Sequence, residues 1–334
     1  MKKAILSVGI LIWGILAVIV STILVYAMFD LPKPGWAENL PATIWKGENT
    51  MIHFGGNTAL LLEEDYVLDG IDTLRVIATY QDVTITLHDG ADMRVRHYDY
   101  NTADPLTADF SGGSLTITAQ KWNVFNIFGF TASPRLEIEL PREYAGNADI
   151  SSVSGTVKIE GDVSWGDVRL KTTSGSIRTG DISALSIDIQ STSGSLSPGL
   201  LDADNNVRLK ATSGSIRGDD IRAGSVEAQS TSGSLNLGAL TSGGSVRMKT
   251  VSGSIKAGNI KGRDVTSEST SGSQTLGAID AAGMIRLTAV SGRVEAAAVR
   301  SPEHYIKTTS GSIRIGELTG TGEFKSTSGS VRTG

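Results

Sequence analysis

An all-β solenoid is the fold this sequence predicts, and three observations predict it. A Ser-Gly corner, in most repeats Ser-Gly-Ser followed by Ile, Leu or Val, returns along the second half of the chain, with its glycine at Gly155, Gly175, Gly194, Gly214, Gly233, Gly253, Gly272, Gly292, Gly311 and Gly329. The spacing alternates between 20 and 19 residues, ending on a step of 18. A fixed period near this length is the mark of stacked coils. The chain is also 40% hydrophobic but only 6% aromatic, with 39 glycines, which suits a narrow aliphatic core better than a large globular one. The expected architecture is a single-stranded β-helix, right-handed by default, of coils of about 20 residues, preceded by one transmembrane helix.

One repeat shows why. Val168 and Leu170 alternate with Arg169 and Lys171, the period of a strand with one buried face. Thr172 and Thr173 favour extended backbone, and Ser174-Gly175 breaks the run. A glycine fixed in every repeat implies either a backbone conformation that side chains tolerate poorly or the close approach of a neighbouring chain. Ile177 then turns inward with Arg178 outside, and a second glycine column follows at Gly180, Gly199, Gly218, Gly238, Gly258, Gly277 and Gly316. No repeat holds enough apolar surface to fold alone, so stacking must bury it.

The alternation of 19 and 20 allows one repeat per coil or two. Five residues before successive motif serines sit Arg169, Asp188, Arg208, Glu227 and Arg247, and three before them sit Lys171, Gln190, Lys210, Gln229, Lys249 and Glu268. One repeat per coil sets opposite or neutral residues on neighbouring rungs. Two per coil would stack Arg169, Arg208 and Arg247 directly, which is unfavourable. The charges therefore favour one repeat per coil.

Taken in order, residues 1–3 form the expected cytoplasmic N-terminus. Residues 4–29 carry no charged side chain, a run long enough to span a bilayer. Lys2 and Lys3 precede it, so the positive-inside rule puts everything after residue 30 outside the cytoplasm. A cleaved signal peptide is the rival reading, but its apolar region is usually shorter. Residues 30–49, with Pro32, Pro34 and Gly35, read as a stalk. Residues 50–150 carry alternating strands around Leu74, Val83, Leu115 and Leu136 with long insertions between them. They read as irregular first coils capping the solenoid, the alternative being a separate small β domain. Within them, Trp122 to Phe130 concentrates aromatics, either as a plug over the core or as a loop facing a membrane or a partner. Residues 151–334 are the regular repeats. The last motif stands at Ser328-Gly329-Ser330, and an uncovered last coil would offer an edge for end-on self-association.

Chemistry is sparse. The histidines, His53, His88, His97 and His304, make no pair at zinc-ligand spacing. Neither a nucleophile elbow nor a phosphate-binding loop is present, and the chain has no cysteine. Asp219-Asp220 and Glu63-Glu64-Asp65 read as solvated surface, and the motif serines as corner residues. The expectation is a chain with no catalytic, cofactor-binding or metal residues: not an enzyme, and with no cofactor. A net charge of −5 gives no reason to expect nucleic-acid binding.

The strand segment Ile71-Asp72-Thr73-Leu74-Arg75-Val76, the segment Leu136 to Pro141 and the Ser-Gly-Ser/Thr repeats that follow resemble the bacterial β-strand-repeat family labelled "putative adhesin", a domain of unknown function. The resemblance covers residues 50–334. It implies a β-solenoid on bacterial membrane or surface proteins, often linked with envelope stress, and it supplies no catalytic residues. Many members carry Asp after the Ser-Gly. Here the position is Ser, which weighs against a repeated cation site. The resulting expectation is a single-pass membrane protein whose extracytoplasmic solenoid is a binding or structural module, partnered by an envelope protein or a polysaccharide. The other readings are an envelope-stress sensor working with a membrane protein and, last, a carbohydrate-active enzyme.

Overall fold

In the computed structural model the described residues are 58–99, 106–119 and 134–334, and all their regular structure is β. The expected span at residues 4–29, the stalk at 30–49 and the aromatic stretch Trp122 to Phe130 lie outside the described residues. No helix among the described residues is long and apolar enough to cross a membrane.

From residue 147 onward the chain is a solenoid with one repeat per coil. The strand Asp167–Thr172 pairs in parallel with Ile182–Ser191 so that Val168 lies beside Ile187 and Arg169 beside Asp188. The next step sets Asp188 beside Arg208, and the next Arg208 beside Glu227. The charge alternation thus does what the sequence requires of it. Each coil carries three strand segments, giving three parallel ladders around one core. The first ladder holds 168–172, 187–191 and 207–211. The second follows the Ser-Gly-Ser corner and holds Ile177, Leu196, Ile216, Leu235 and Ile255. The third holds Ile182, Leu201, Ile221, Leu240 and Ile260. All these aliphatic residues are buried, most with no exposed surface, and they stack in columns about 4.8 Å apart.

The alternation of 19 and 20 has a local cause. From Ile182 to Ile187 the chain takes five steps, and from Leu201 to Val207 it takes six. The same difference separates Ile221–Val226 from Leu240–Val246. Alternate coils therefore carry one extra residue at the third corner, where the register shifts between Ala203 and Asn206. The corner bulges and the columns stay aligned.

At the other end, spatial order departs from chain order. The strands are β1 (Ala59–Tyr66), β2 (Thr73–Ala78), β3 (Asp82–His88), β4 (Met93–Asp99), β5 (Leu106–Ser111), β6 (Ser114–Ala119), β7 (Arg135–Pro141), β8 (Asn147–Ser152) and β9 (Val157–Ile159). The coil made by β2 and β3 lies between β6 and β7 on one side and β8 and β9 on the other. Antiparallel strands finish this end: β5 lies on β6, β4 on β7 and β1 on β4. These strands pair backbone edges that parallel coils would leave open. Tyr144 and Trp165 pack edge to face, with centroids 6.4 Å apart. The Tyr144 hydroxyl donates to the Asn147 carbonyl at 2.7 Å and accepts the Leu74 N–H at 2.9 Å. Burial, the first cause, pushes its pKa up to about 12, so it stays a neutral donor that ties the first coil to the regular stack.

Candidate binding surface

The Ser-Gly-Ser corner sets the geometry of the surface. None of its glycines has a positive φ. The reason for glycine is proximity: a Cβ on Gly175, Gly194, Gly214, Gly233, Gly253 or Gly272 would overlap the carbonyl oxygen of the corner glycine one coil before. Buried hydroxyls staple the same corner. Ser191 donates to the Gly175 carbonyl at 3.2 Å and accepts the Gly194 N–H at 2.8 Å. Ser230 serves Gly214 and Gly233 in the same way, at 2.9 Å each, and Thr250 serves Gly233 and Gly253, at 3.0 and 3.1 Å. The result is a straight edge with Thr173, Thr192 and Thr212 and their following serines projecting to solvent.

Outward side chains stand in columns fixed by this register. On the first ladder, Arg208 pairs with Glu227 at 3.3 Å and Lys249 with Glu268 at 3.4 Å. On the third, Arg222 faces Asp202 at 3.9 Å, and Arg300 bridges Asp280 at 3.3 Å and Glu317 at 2.6 Å. The second ladder differs. Three residues after successive corner glycines stand Lys158, Arg178, Ser197, Arg217, Asn236, Lys256 and Thr275, in register from coil to coil. No acid interrupts this column over that range. A sequence reading that tabulates only the positions before the motif serine misses it, although the same arithmetic applied after the glycine exposes it.

Along the corner edge runs a groove of about 440 Å³, walled by Lys171, Gln190 and Lys210 on one side and by Thr173, Thr192 and Thr212 on the other. A second groove of about 450 Å³ lies on the far side of the Arg169, Asp188 and Arg208 column.

The described histidines lie apart from one another. His88 is tied locally, its Nε2 2.8 Å from the Asp92 carbonyl and its Nδ1 accepting the Gly90 N–H. His53 lies outside the described residues. His97 is buried on β4, its Nε2 3.6 Å from Asp99 Oδ2. The same Asp99 carboxylate accepts the Tyr80 hydroxyl and, at 3.4 Å, the Gln81 amide. His97, Asp99 and Gln81 are buried and Tyr80 is partly exposed, and the cluster sits at the corner between β2 and β3. His304 sits in a core column at the other end. Among the described residues no group of three carboxylate or imidazole ligands could hold a metal. The acidic clusters are exposed, and three of their members also make local contacts. Glu63 pairs with Arg96 and Asp65 with Arg94, both at 2.8 Å. The Arg94 guanidinium holds the Asp65 carboxyl below its ordinary range. Asp220 caps the second corner by accepting the Ala239 N–H at 2.7 Å. A further buried polar group stands on the second ladder. Gln274, fully buried where its neighbours are Ile255 and Val294, donates to the Thr288 carbonyl at 2.6 Å beside buried Ser267.

The sequence model of one family, described as Toastrack DUF4097, matches residues 71–258 and 243–333, which is most of the chain. The chain belongs to the Toastrack DUF4097 family. The matched residues are the solenoid from β2 to its last coil. Similar solved structures include a "putative adhesin" from Parabacteroides distasonis, 14% identical, covering 84% of this chain and 99% of its own, with a TM-score of 0.43. Another is a "putative adhesin" from Bacteroides fragilis, 15% identical, covering 84% and 100%, with a TM-score of 0.37. A third is a "putative lipid binding protein" from Parabacteroides distasonis, 18% identical, covering 84% and 99%, with a TM-score of 0.39. No curated protein matches the chain.

Proposed function

We propose that this Toastrack protein is a non-catalytic binding module displayed outside the cytoplasm and held to the membrane by residues 4–29. One observation carries the reading: the coil register turns the exposed side chains into straight columns, such as Thr173, Thr192 and Thr212, along a surface groove. A rigid, periodic surface of this kind suits an extended partner, because the ordering of its side chains is achieved on folding and not on binding. The charge-free apolar run after Lys2 and Lys3 supports the anchor and its direction. In this reading residues 1–3 are cytoplasmic and the repeats of 151–334 lie outside.

The test is protease treatment of intact cells or spheroplasts, followed by membrane fractionation. The solenoid should be cut from outside while the N-terminal segment stays with the membrane. Protection until lysis, or recovery of the whole chain as a soluble protein, would overturn the placement.

A further inference from the structure

The corner edge carries a run of cations with little compensation. Alternate coils bring cations to both of its sides. Lys171 and Arg178 flank the corner at Thr173-Ser174, Lys210 and Arg217 flank it at Thr212-Ser213, and Lys249 and Lys256 at Val251-Ser252. The coils between contribute neutral residues at the same columns: Gln190 with Ser197, and Gln229 with Asn236. From Ser151 to Lys256 no acid stands in either column, and of these six cations only Lys249 makes an ion pair among the described residues. Acids border the strip instead. Two residues before it the bordering column alternates Arg169, Asp188, Arg208, Glu227 and Arg247, and Asp181 and Asp219-Asp220 lie just after it. The groove along the corner lies on the Lys171 and Lys210 side of the strip and is lined by those lysines, Gln190, threonine and serine residues, and also by Ile77, Ala78 and Val153.

We propose that this strip binds a linear acidic polysaccharide lying along the solenoid axis, which deepens the binding-module reading and rests on it. Three features select the partner. Successive cations in one column are two coils apart, about 9.6 Å at the strand spacing of a sheet. That is the length of one disaccharide in an extended chain, so a polymer with one carboxylate per disaccharide meets a cation at each repeat. The threonine and serine hydroxyls between the cation columns suit a partner rich in hydroxyls. The strip is one polymer wide, and a broad anionic membrane surface would press on the bordering acids as well. No aromatic side chain stands among its columns to stack nucleic-acid bases.

The experiment uses the full chain in zwitterionic detergent, with hyaluronate as the probe because it carries one carboxylate per disaccharide. Dextran, oligothymidylate and phosphatidylglycerol vesicles are run beside it. Hyaluronate should be bound with an affinity that falls as salt rises, and dextran should not be retained. The variant Lys171→Gln, Lys210→Gln, Arg178→Ser, Arg217→Ser takes on the residue types of the intervening coils. It should bind about tenfold or more weakly, as expected for the loss of several exposed charge contacts, with an unchanged melting curve. The control Arg222→Thr, Lys261→Thr, on the third ladder, should bind as wild type does. The inference fails if wild type does not bind hyaluronate, if the four-residue variant binds equally, if the control loses as much, or if oligothymidylate or the vesicles are preferred. None of those results moves the protease test of the module's placement, so the two readings fall separately.

Discussion

Gly194 lies against the carbonyl oxygen of Gly175, one coil before it, with no room for a side-chain carbon between them. The relationship repeats along the whole corner column, and it is why that position is glycine although its φ is ordinary. Gly194→Ala forces two coils apart where Ser193 donates its N–H to the Thr173 carbonyl at 2.8 Å. The substitution should cost about 3 kcal/mol or more, as backbone displacement in a packed core does. Gly243 is the comparison. It is exposed, has no atom within contact of a Cβ and has no positive φ. Gly243→Ala should be neutral or stabilising by about 0.5 kcal/mol through the unfolded state. Urea titrations of both variants decide the matter; equal effects would mean that glycine proximity is not what shapes the corner.

The hydroxyl staple has gaps. Ser191 and Ser230 are in register with Ala211, and Ser269 and Thr308 with Ala289. Ala211 is buried between Ser191 and Ser230, each of which donates to one corner carbonyl and accepts a corner N–H. Ala211→Ser places a hydroxyl between the Gly194 carbonyl and the Gly214 N–H, and should raise stability by about 1 kcal/mol. A higher denaturation midpoint with an unchanged slope is the expected result. A lower midpoint would show that the alanines are there for volume.

Inside and outside are separated by one residue. Ile216 is fully buried between Leu196 and Leu235, and the next residue, Arg217, is exposed between Ser197 and Asn236. Ile216→Asp buries a carboxylate with no partner and should cost several kcal/mol, enough to lose cooperative melting near physiological temperature. Arg217→Asp should shift stability by no more than about 0.5 kcal/mol, while weakening hyaluronate binding. Scanning calorimetry on the pair reads the first difference, and the binding assay reads the second.

These residues also mark how far the sequence speaks. Ile177, Ile182 and Leu196 announce the core because a coil must place its aliphatic residues at the same offsets every time, and Arg169 and Asp188 announce one repeat per coil because like charges avoid adjacent rungs. The acid-free column at Arg178 and Arg217 was equally open to counting. The insertion of the β2–β3 coil between later ones was not, because parallel pairing constrains which strands fit and not which arrives first. Nor was the antiparallel finish by β1, β4 and β5 legible. Alternating Met93, Val95 and His97 look the same whichever way the strand runs. The closeness of Gly194 to Gly175 follows from corner geometry that no local pattern reports.

His304 gives the last prediction. It occupies the core column of Val246, Val265 and Ile285, and it is buried against Phe324, with ring centroids 5.2 Å apart. Neither ring nitrogen has a hydrogen-bond partner. Burial lowers its pKa below the ordinary value of 6.5, since the cation would sit in an apolar layer without solvent or a counter-charge. The sign follows from linkage. Above pH 6.5 the imidazole is neutral folded and unfolded, so it contributes no pH dependence. Below that value the unfolded chain takes up the proton first, and stability falls with pH until the folded-state pKa is passed. His304→Val, the residue type of its own column, should flatten the stability profile below pH 6.5 by the share that this imidazole contributes. Urea titrations of wild type and variant at a series of pH values measure the difference. Parallel profiles would mean that the ring protonates as readily folded as unfolded, and that the coil of His304 opens before the stack melts.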